Sequence, residues 1–224
     1  MYPAHEGQFS RILTVIFILV IACFIIVTKI QLSELRDGVD RLQVNKITTS
    51  PEPERIKTTL WNVFPHIRIW GPDVVYYWSC IIYDQCERRG LDWRVIAADI
   101  NCESGFNPKA ISEADAKGMA QTLDSTSVAL CRKLGITFIV GVTTSNDVSS
   151  MLIGIQYLDD GIKREKDITN GLKSYYGGPG WRRNPNQRAI DDYANTVIGD
   201  ANRLGEYYDR TYSPKKHFLL RLWN

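Results

Sequence analysis

This chain has few histidines and no closely spaced cysteine pair, and these are the residues from which most zinc sites are built. There are 3 histidines and 5 cysteines in 224 residues, with no C-x-x-C pair and no histidine at a spacing typical of zinc ligands. The sequence therefore predicts no metal site and no cofactor.

An excess of charge of either sign is also missing. Lysine and arginine number 27 and aspartate and glutamate 25, which gives a formal net charge of +2. Nucleic-acid binding usually needs a strongly basic surface, so no nucleic-acid partner is expected. Internal repeats and low-complexity tracts are absent as well. The hydrophobic share of 44% is enough to bury the core of one domain of ordinary size.

A long uncharged segment near the amino terminus is the first positive signal. Residues 12–28 read ILTVIFILVIACFIIVT and lie between Arg11 and Lys29. Because about 20 apolar residues span a bilayer, we predict an uncleaved transmembrane helix over Ile12–Ile30, with the lipid membrane as its partner. A cleaved signal peptide is disfavoured because no A-x-A site follows, and a lipoprotein site at Cys23 because the apolar run continues beyond it. A buried core helix is the weakest alternative, since the segment has no polar face.

Composition divides the rest of the chain. Residues 1–11 form a short tail, and residues 31–55 read as a solvated helical stalk followed by the linker TTSPEPER. Apolar residues at heptad spacing in the stalk are too few to favour a dimerising coiled coil. A globular domain is expected over residues 56–210. The basic and apolar tail over residues 211–224 either packs on that domain or touches a membrane or partner.

The globular part reads as helices joined by loops, which predicts an all-α fold. Apolar residues recur at helical spacing in six stretches, and Gly, Pro, Asp or Asn residues mark their ends. The predicted helices cover approximately residues 73–90, 92–103, 124–135, 147–162, 169–176 and 185–208. Only ITFIVGV, residues 136–142, is strand-like, and it is either a loop or the edge of a small hairpin.

The cysteines of the globular part leave two interpretations open. Cys80, Cys86, Cys102 and Cys131 form an even set, which is compatible with two disulfides if the domain is extracytoplasmic. Cys80 and Cys86 lie about 9 Å apart along one helix, too far to pair with each other. Four buried free thiols are the alternative.

One carboxylate lies where an apolar helix face meets a turn. The helix WRVIAADINC places Ile96 and Ile100 on the face that continues into Glu103, just before Ser-Gly and Phe106. A carboxylate at the buried end of a helix is costly unless it is paired or protonated. Cleavage of a glycosidic bond needs a carboxylic acid with a raised pKa. Glu103 is therefore a candidate general acid, although a helix-end glutamate is more often simply solvated.

Five motifs follow one another between residues 90 and 180. They are GLDWRVIAADINCESGFNPKAIS, AKGMAQ, STSVAL, MLIGIQYLDDGIKR and GLKSYYGGPG. In this order they resemble the catalytic Glu-Ser-Gly helix, the G-L-M-Q motif, the threonine-led helix, the G-x-x-Y-L helix and the A-Y-N-A-G-P-G turn of the lytic transglycosylase and goose-type lysozyme family. Departures such as Tyr176-Gly177 in place of Asn-Ala indicate a divergent member. The resemblance implies a lysozyme-like, all-α catalytic domain behind the transmembrane helix.

The resemblance also implies roles for matching residues around the acid. Ser104 would hydrogen-bond near the acid and fix its geometry, or would simply end the helix. Gln121 would contact a sugar acetamido group or the backbone around the cleft. Met119 or Ala120 would line the cleft floor. Tyr175 would sit above the acid and orient it or its substrate, with a core tyrosine as the alternative.

Only one carboxylate, that of Glu103, lies in a motif of the family, and this indicates the type of reaction. Glu113, Asp115 and Asp124 lie in loops or at a helix cap, and no motif marks them. A two-acid hydrolase needs a second carboxylate. The resemblance instead implies a peptidoglycan lytic transglycosylase that cleaves the MurNAc-GlcNAc β-1,4 bond with Glu103 as general acid and then general base, and leaves 1,6-anhydromuramyl ends. A lysozyme-like hydrolase and a non-catalytic wall-binding or assembly protein remain as alternatives.

Peptidoglycan glycan strands are thus the expected partner. Because the polymer lies outside the cytoplasmic membrane, we expect a single-pass protein with its amino terminus inside and its catalytic domain in the periplasm. The sequence leaves open whether the protein serves a bacterium's own wall, a secretion or conjugation machine, or a phage entering its host. In the last case the anchor would lie in a virion membrane.

Overall fold

A computed structural model describes residues 50–213, which form seven α-helices and two short 3₁₀ helices. The α-helices are α1 (Glu52–Val63), α2 (Pro72–Arg89), α3 (Trp93–Ser104), α4 (Asp124–Leu134), α5 (Asp147–Glu165), α6 (Ile168–Gly177) and α7 (Gln187–Tyr212), and the 3₁₀ helices are Pro65–Trp70 and Trp181–Arg183. Apart from two isolated β-bridges, the described residues contain no strand. The all-α prediction is therefore confirmed for this part of the chain.

The amino-terminal predictions fall outside the described residues. These include the transmembrane helix over residues 12–30 and most of the stalk. None of the helices within residues 50–213 combines the length and apolarity of a membrane-spanning segment.

Two boundaries differ from the sequence prediction. Helix α1 begins at Glu52, inside the segment predicted to be a linker, and buries Pro53 and Ile56 while packing against α2 and α7. Proline is well tolerated in the first turn of a helix, where its missing N–H leaves no hydrogen bond unmade. Helix α7 continues to Tyr212, past the predicted end of the domain.

The strand-like segment 136–142 is a loop. The Thr143 hydroxyl group accepts a hydrogen bond from the Ile139 backbone N–H at 2.7 Å and donates to the Thr137 carbonyl at 3.3 Å. These local bonds occupy backbone groups that a strand would offer to a neighbour. Ile136 and Phe138 pack against the buried cluster of Leu130, Cys131 and Ile153, so their apolar character serves the core.

The cysteine sulfurs are unpaired in the described residues. Cys80, Cys86, Cys102 and Cys131 are all free, contrary to the disulfide interpretation, and of the four only Cys86 and Cys131 are buried as the free-thiol alternative expected. Burial raises the pKa of the Cys86 thiol, which keeps it protonated and unreactive.

Helix α3 carries Glu103 in its last turn. It packs against α7, while α5 packs against α6. The Asp92 side chain caps the start of α3 by accepting a hydrogen bond from the Arg94 backbone N–H at 2.9 Å. Gly105, with φ 61°, ends α3. The next residue, Phe106, also has φ 61° and is fully buried against Trp78, with 5.8 Å between ring centroids. A phenylalanine in this conformation costs about 1–3 kcal/mol and persists only because packing holds it, which fixes the path of the chain just after Glu103.

Candidate active site

Glu103 lies in the last turn of α3 and on the wall of a cleft of about 710 Å³. The cleft wall is mostly small, hydroxyl-bearing and aromatic residues: Cys102, Glu103, Ser112, Ala114, Ala116, Gln121, Thr122, Leu123, Thr126, Tyr157, Tyr175, Tyr176, Gly177, Gly178, Pro179 and Tyr193. Among these described residues Glu103 is the only carboxylic acid. The cleft therefore presents one proton donor of this type to anything bound in it.

Ser104 fastens the end of α3 to the loop that follows. Its hydroxyl group donates to the Met119 carbonyl at 2.7 Å and accepts from the Asn107 backbone N–H at 3.1 Å. Ser104 thus holds the two chain segments around the acid, without itself hydrogen-bonding Glu103.

Gln121 braces the opposite side of that loop. Its side-chain amide donates to the Gly118 carbonyl at 2.8 Å and to the Ala110 carbonyl at 3.1 Å, and its φ of 46° turns the chain into the cleft wall. Of the two contacts expected for Gln121, the structure places it on the backbone around the cleft. Its side chain also lines the cleft.

Met119 and Ala120 lie behind the cleft wall. Both are fully buried, and neither is among the residues that line the cleft. Ala120 packs directly on Gly154 of α5, where an added Cβ atom would lie 2.2 Å from the Ala120 Cβ atom. The pair therefore sets the spacing between the loop and α5.

Tyr175 lines the cleft but does not hydrogen-bond Glu103. Its hydroxyl group donates to the Ala120 carbonyl at 2.5 Å. Burial raises its pKa well above 10, and the charges of Asp99 and Glu103 act in the same direction, so the phenol stays neutral. Tyr175 thus ties α6 to the loop next to the acid.

Two residues without a role in the sequence predictions, Tyr193 and Asp99, are linked to the acid by hydrogen bonds, Tyr193 directly and Asp99 through Tyr193. The Tyr193 hydroxyl oxygen, on α7, lies 2.6 Å from Glu103 Oε1 and 2.6 Å from Asp99 Oδ1. Asp99 is 3% exposed and lies one helical turn before Glu103 on α3. A signal for Asp99 was present, because it is an acidic residue among the buried positions of an amphipathic helix. Tyr193 carries no comparable local signal.

The surroundings favour the protonated form of Glu103. Burial is the largest cause that raises its pKa to about 8, the negative charge of Asp99 adds to it, and the hydrogen bond from Tyr193 opposes it. Burial likewise raises the pKa of Asp99 to about 7, with Tyr193 opposing. At neutral pH Glu103 therefore retains a proton that a typical glutamate has lost, as a general acid requires.

The three loop acids named from sequence are not among the residues that line the cleft. Asp115 and Asp124 pair with Lys117 at 3.1 and 2.9 Å, and Asp124 also accepts from the Thr144 hydroxyl group at 3.2 Å. Glu113 is exposed, and none of the three lines the cleft.

Metal ligation finds no support in the described part of the chain, where no three His, Cys, Asp or Glu side chains are grouped closely enough to hold an ion.

Comparisons with known proteins identify the family and the fold of the domain. The family model described as the transglycosylase SLT domain matches residues 80–197, more than half of the chain. An inactive mutant of the lytic transglycosylase Slt from Pseudomonas aeruginosa is similar in structure, with a TM-score of 0.52 and 20% identity over 57% of this chain and 24% of that one. The 70 kDa soluble lytic transglycosylase from Escherichia coli matches with a TM-score of 0.51 and 15% identity over 79% of this chain and 35% of that one.

These likenesses extend to the fold, and the chain spans only about a quarter to a third of the length of the two enzymes. The family resemblance drawn from the five motifs is confirmed by the matched domain, which contains Glu103, Gln121, Tyr175 and Tyr193. The chain belongs to the transglycosylase SLT domain family.

Proposed function

We propose that this protein is a peptidoglycan lytic transglycosylase that cleaves the MurNAc-GlcNAc β-1,4 bond with Glu103. The observation that carries the proposal is the placement of Glu103. Its surroundings raise its pKa to about 8, it lies on the cleft wall, and it is the only carboxylic acid among the described residues there. Membership of the SLT family supports the same substrate class.

The reaction begins with proton transfer to the leaving group. Glu103 donates its proton to the glycosidic oxygen, and the bond from that oxygen to the anomeric carbon of the muramyl sugar breaks. Positive charge develops at the anomeric carbon, where the acetamido oxygen of the same sugar stabilises it. Glu103 is left as a carboxylate.

Ring closure completes the reaction. The Glu103 carboxylate accepts the proton of the muramyl 6-hydroxyl group, whose oxygen attacks the anomeric carbon from within the same sugar. The product is a 1,6-anhydromuramyl end, and Glu103 is protonated again. The step needs no positioned water because the nucleophile is already part of the substrate.

The cleft wall suits a sugar polymer. Tyr176 is 51% exposed, lines the cleft and stacks on Tyr193 with 4.7 Å between ring centroids. Its free face provides an apolar surface for a sugar ring. Gln121 and Thr122 supply nearby polar groups, while Ser104, Tyr175 and the buried Met119 keep the loop in place.

A two-acid hydrolase on the same fold is less well supported. Such an enzyme uses a second carboxylate that faces the anomeric carbon or a water beside it. Asp99 is close to Glu103 but lies behind Tyr193, away from the cleft wall. Exposed Glu113 and the paired Asp115 are also absent from that wall.

The proposal includes a location. Intact peptidoglycan lies outside the cytoplasmic membrane, so the catalytic domain is proposed to face outward behind the sequence-predicted anchor at residues 12–30.

The simplest test is clearing of isolated cell walls by the purified full chain. The turbidity of a peptidoglycan suspension should fall with time in proportion to the protein added. A non-catalytic wall-binding protein would sediment with the walls and leave the turbidity unchanged, and that result would overturn the proposal.

A further inference from the structure

The Tyr193 hydroxyl group bridges two carboxyl groups with a single proton of its own. Its oxygen lies 2.6 Å from Asp99 Oδ1 and 2.6 Å from Glu103 Oε1, and both distances are those of hydrogen bonds. A phenol can donate only one hydrogen bond, so in the other contact it must accept one. An ionised carboxylate has no proton to donate. One of the two carboxyl groups must therefore carry a proton.

Burial makes the fully ionised alternative costly. Asp99 is 3% exposed, Tyr193 is also buried and Glu103 is partly buried, so two carboxylates on either side of one hydroxyl group would repel each other with reduced solvent screening. Among residues 50–213 no basic side chain is in a position to compensate either charge.

The other titratable groups around the pair of Asp99 and Glu103 either stay neutral or are bonded to other side chains. Tyr175 faces it from α6, and Cys102 lies beside it on α3. Burial raises the pKa of Tyr175 well above 10 and the pKa of Cys102 to about 12. Asp200 of α7 accepts from the Asn101 side chain at 2.8 Å and pairs with Arg203 at 2.7 Å. Near neutral pH, Asp99 and Glu103 are therefore the groups here that change protonation.

We propose that Asp99 is a positioning residue that shares one carboxyl proton with Glu103 through the Tyr193 hydroxyl group and so keeps Glu103 protonated for its acid step. With Asp99 ionised, Tyr193 donates to Asp99 and accepts from protonated Glu103. The shared proton reaches Asp99 when Glu103 gives its proton to the Tyr193 oxygen and Tyr193 gives its own proton to Asp99. The total charge of the three groups does not change.

The arrangement suits a residue that acts as acid and then as base. When Glu103 turns its proton to the leaving oxygen, both carboxylates are charged, and their repulsion increases the proton affinity of Glu103. It then takes the proton of the attacking hydroxyl group, so that one proton has left and one has returned. This catalytic consequence rests on the proposed function, whereas the shared proton does not.

Carboxyl titration in the full chain tests the shared proton without reference to activity. Glutamate labelled with carbon-13 at its carboxyl carbon gives a Glu103 signal, identified by its absence in Glu103→Gln. In the native protein this signal should move in two steps, as first Asp99 and then Glu103 ionises. In Asp99→Asn it should move in one step, with a midpoint lower by about one pH unit or more, the coupling at which paired sites titrate jointly.

Asp192→Asn is the matched control. Asp192 neighbours Tyr193 in sequence, but its side chain is 70% exposed, so its loss should leave the Glu103 titration unchanged. A single step at the pH of an ordinary glutamate in the native protein would overturn the proposal without any variant. An equal or higher midpoint in Asp99→Asn would do the same.

The pH dependence of wall cleavage adds the functional readout. Cleavage requires protonated Glu103, so a lower pKa of Glu103 makes kcat/KM begin to fall at a lower pH. The alkaline limb of the Asp99→Asn pH profile should therefore move to lower pH by the same number of pH units as the titration midpoint. A uniform loss of rate at every pH would reduce Asp99 to a structural role. If the native chain cleaves no peptidoglycan at all, the proposed function fails, and the carbon-13 titration still decides the shared proton.

Discussion

Glu103→Gln should abolish wall clearing while leaving the fold intact. The amide keeps the shape of the side chain and can still hydrogen-bond the Tyr193 hydroxyl group, but it has no proton to transfer. General acid-base catalysis typically accelerates a reaction by about 10²- to 10⁴-fold. The clearing rate of Glu103→Gln should therefore be lower than the native rate by about 10²-fold or more. The melting temperature should stay the same or rise slightly, because a buried ionisable group next to Asp99 has been removed.

Glu113→Gln is the matched control for this substitution. It makes the same chemical change ten positions along the chain, at an exposed glutamate that does not line the cleft. Its clearing rate should equal that of the native protein. A Glu103→Gln protein that clears walls at the native rate would show that another group supplies the proton.

Gly118→Ala should cause the largest loss of stability among single glycine substitutions in the site. Gly118 has φ 75°, and its backbone N–H donates to the Ala110 carbonyl at 2.9 Å. An added Cβ atom would lie 1.8 Å from the Thr144 carbonyl oxygen, so backbone must move. Overpacking against backbone together with an unfavourable φ should lower the free energy of unfolding by about 4 kcal/mol or more. Urea unfolding of both proteins measures the difference.

Gly135→Ala separates the two causes. Gly135 ends α4 with φ 68°, but nothing lies within 4 Å of the position its Cβ atom would occupy. Its substitution should cost only the left-handed backbone conformation, about 1–2 kcal/mol. Equal losses in the two variants would mean that contact with Thr144 contributes nothing and that the loop around Gly118 adjusts freely.

The parts of the site that could be predicted from sequence are those encoded locally. The apolar face of α3 and its stop at Gly105 placed Glu103 at the end of this helix, and the structure has it there, partly buried just after the buried stretch that ends at Ile100. The order of the motifs located the loop that Gln121 braces. In both cases, a few consecutive residues determine the geometry.

Contacts between distant segments could not be predicted in the same way. Tyr193 meets Glu103 across 90 residues of sequence, through the packing of α7 on α3. The strand-like run at 136–142 is a loop whose Ile136 and Phe138 pack on the buried cluster that includes Ile153 of α5. For Met119, the sequence motif identified the segment but not which side of it faces the cleft. Each outcome depends on tertiary neighbours that a local pattern does not specify.

Analysis of the digestion products tests the central claim most directly. If Glu103 works without a second cleft carboxylate, the 6-hydroxyl group of the sugar captures the anomeric carbon. Muropeptides released by the full chain should then be lighter by one water than lysozyme products, and borohydride should leave them unchanged because they have no reducing end. Mass spectrometry that finds mostly borohydride-reducible ends would contradict the account, since it would show that a water is activated in this cleft and that the protein is a hydrolase.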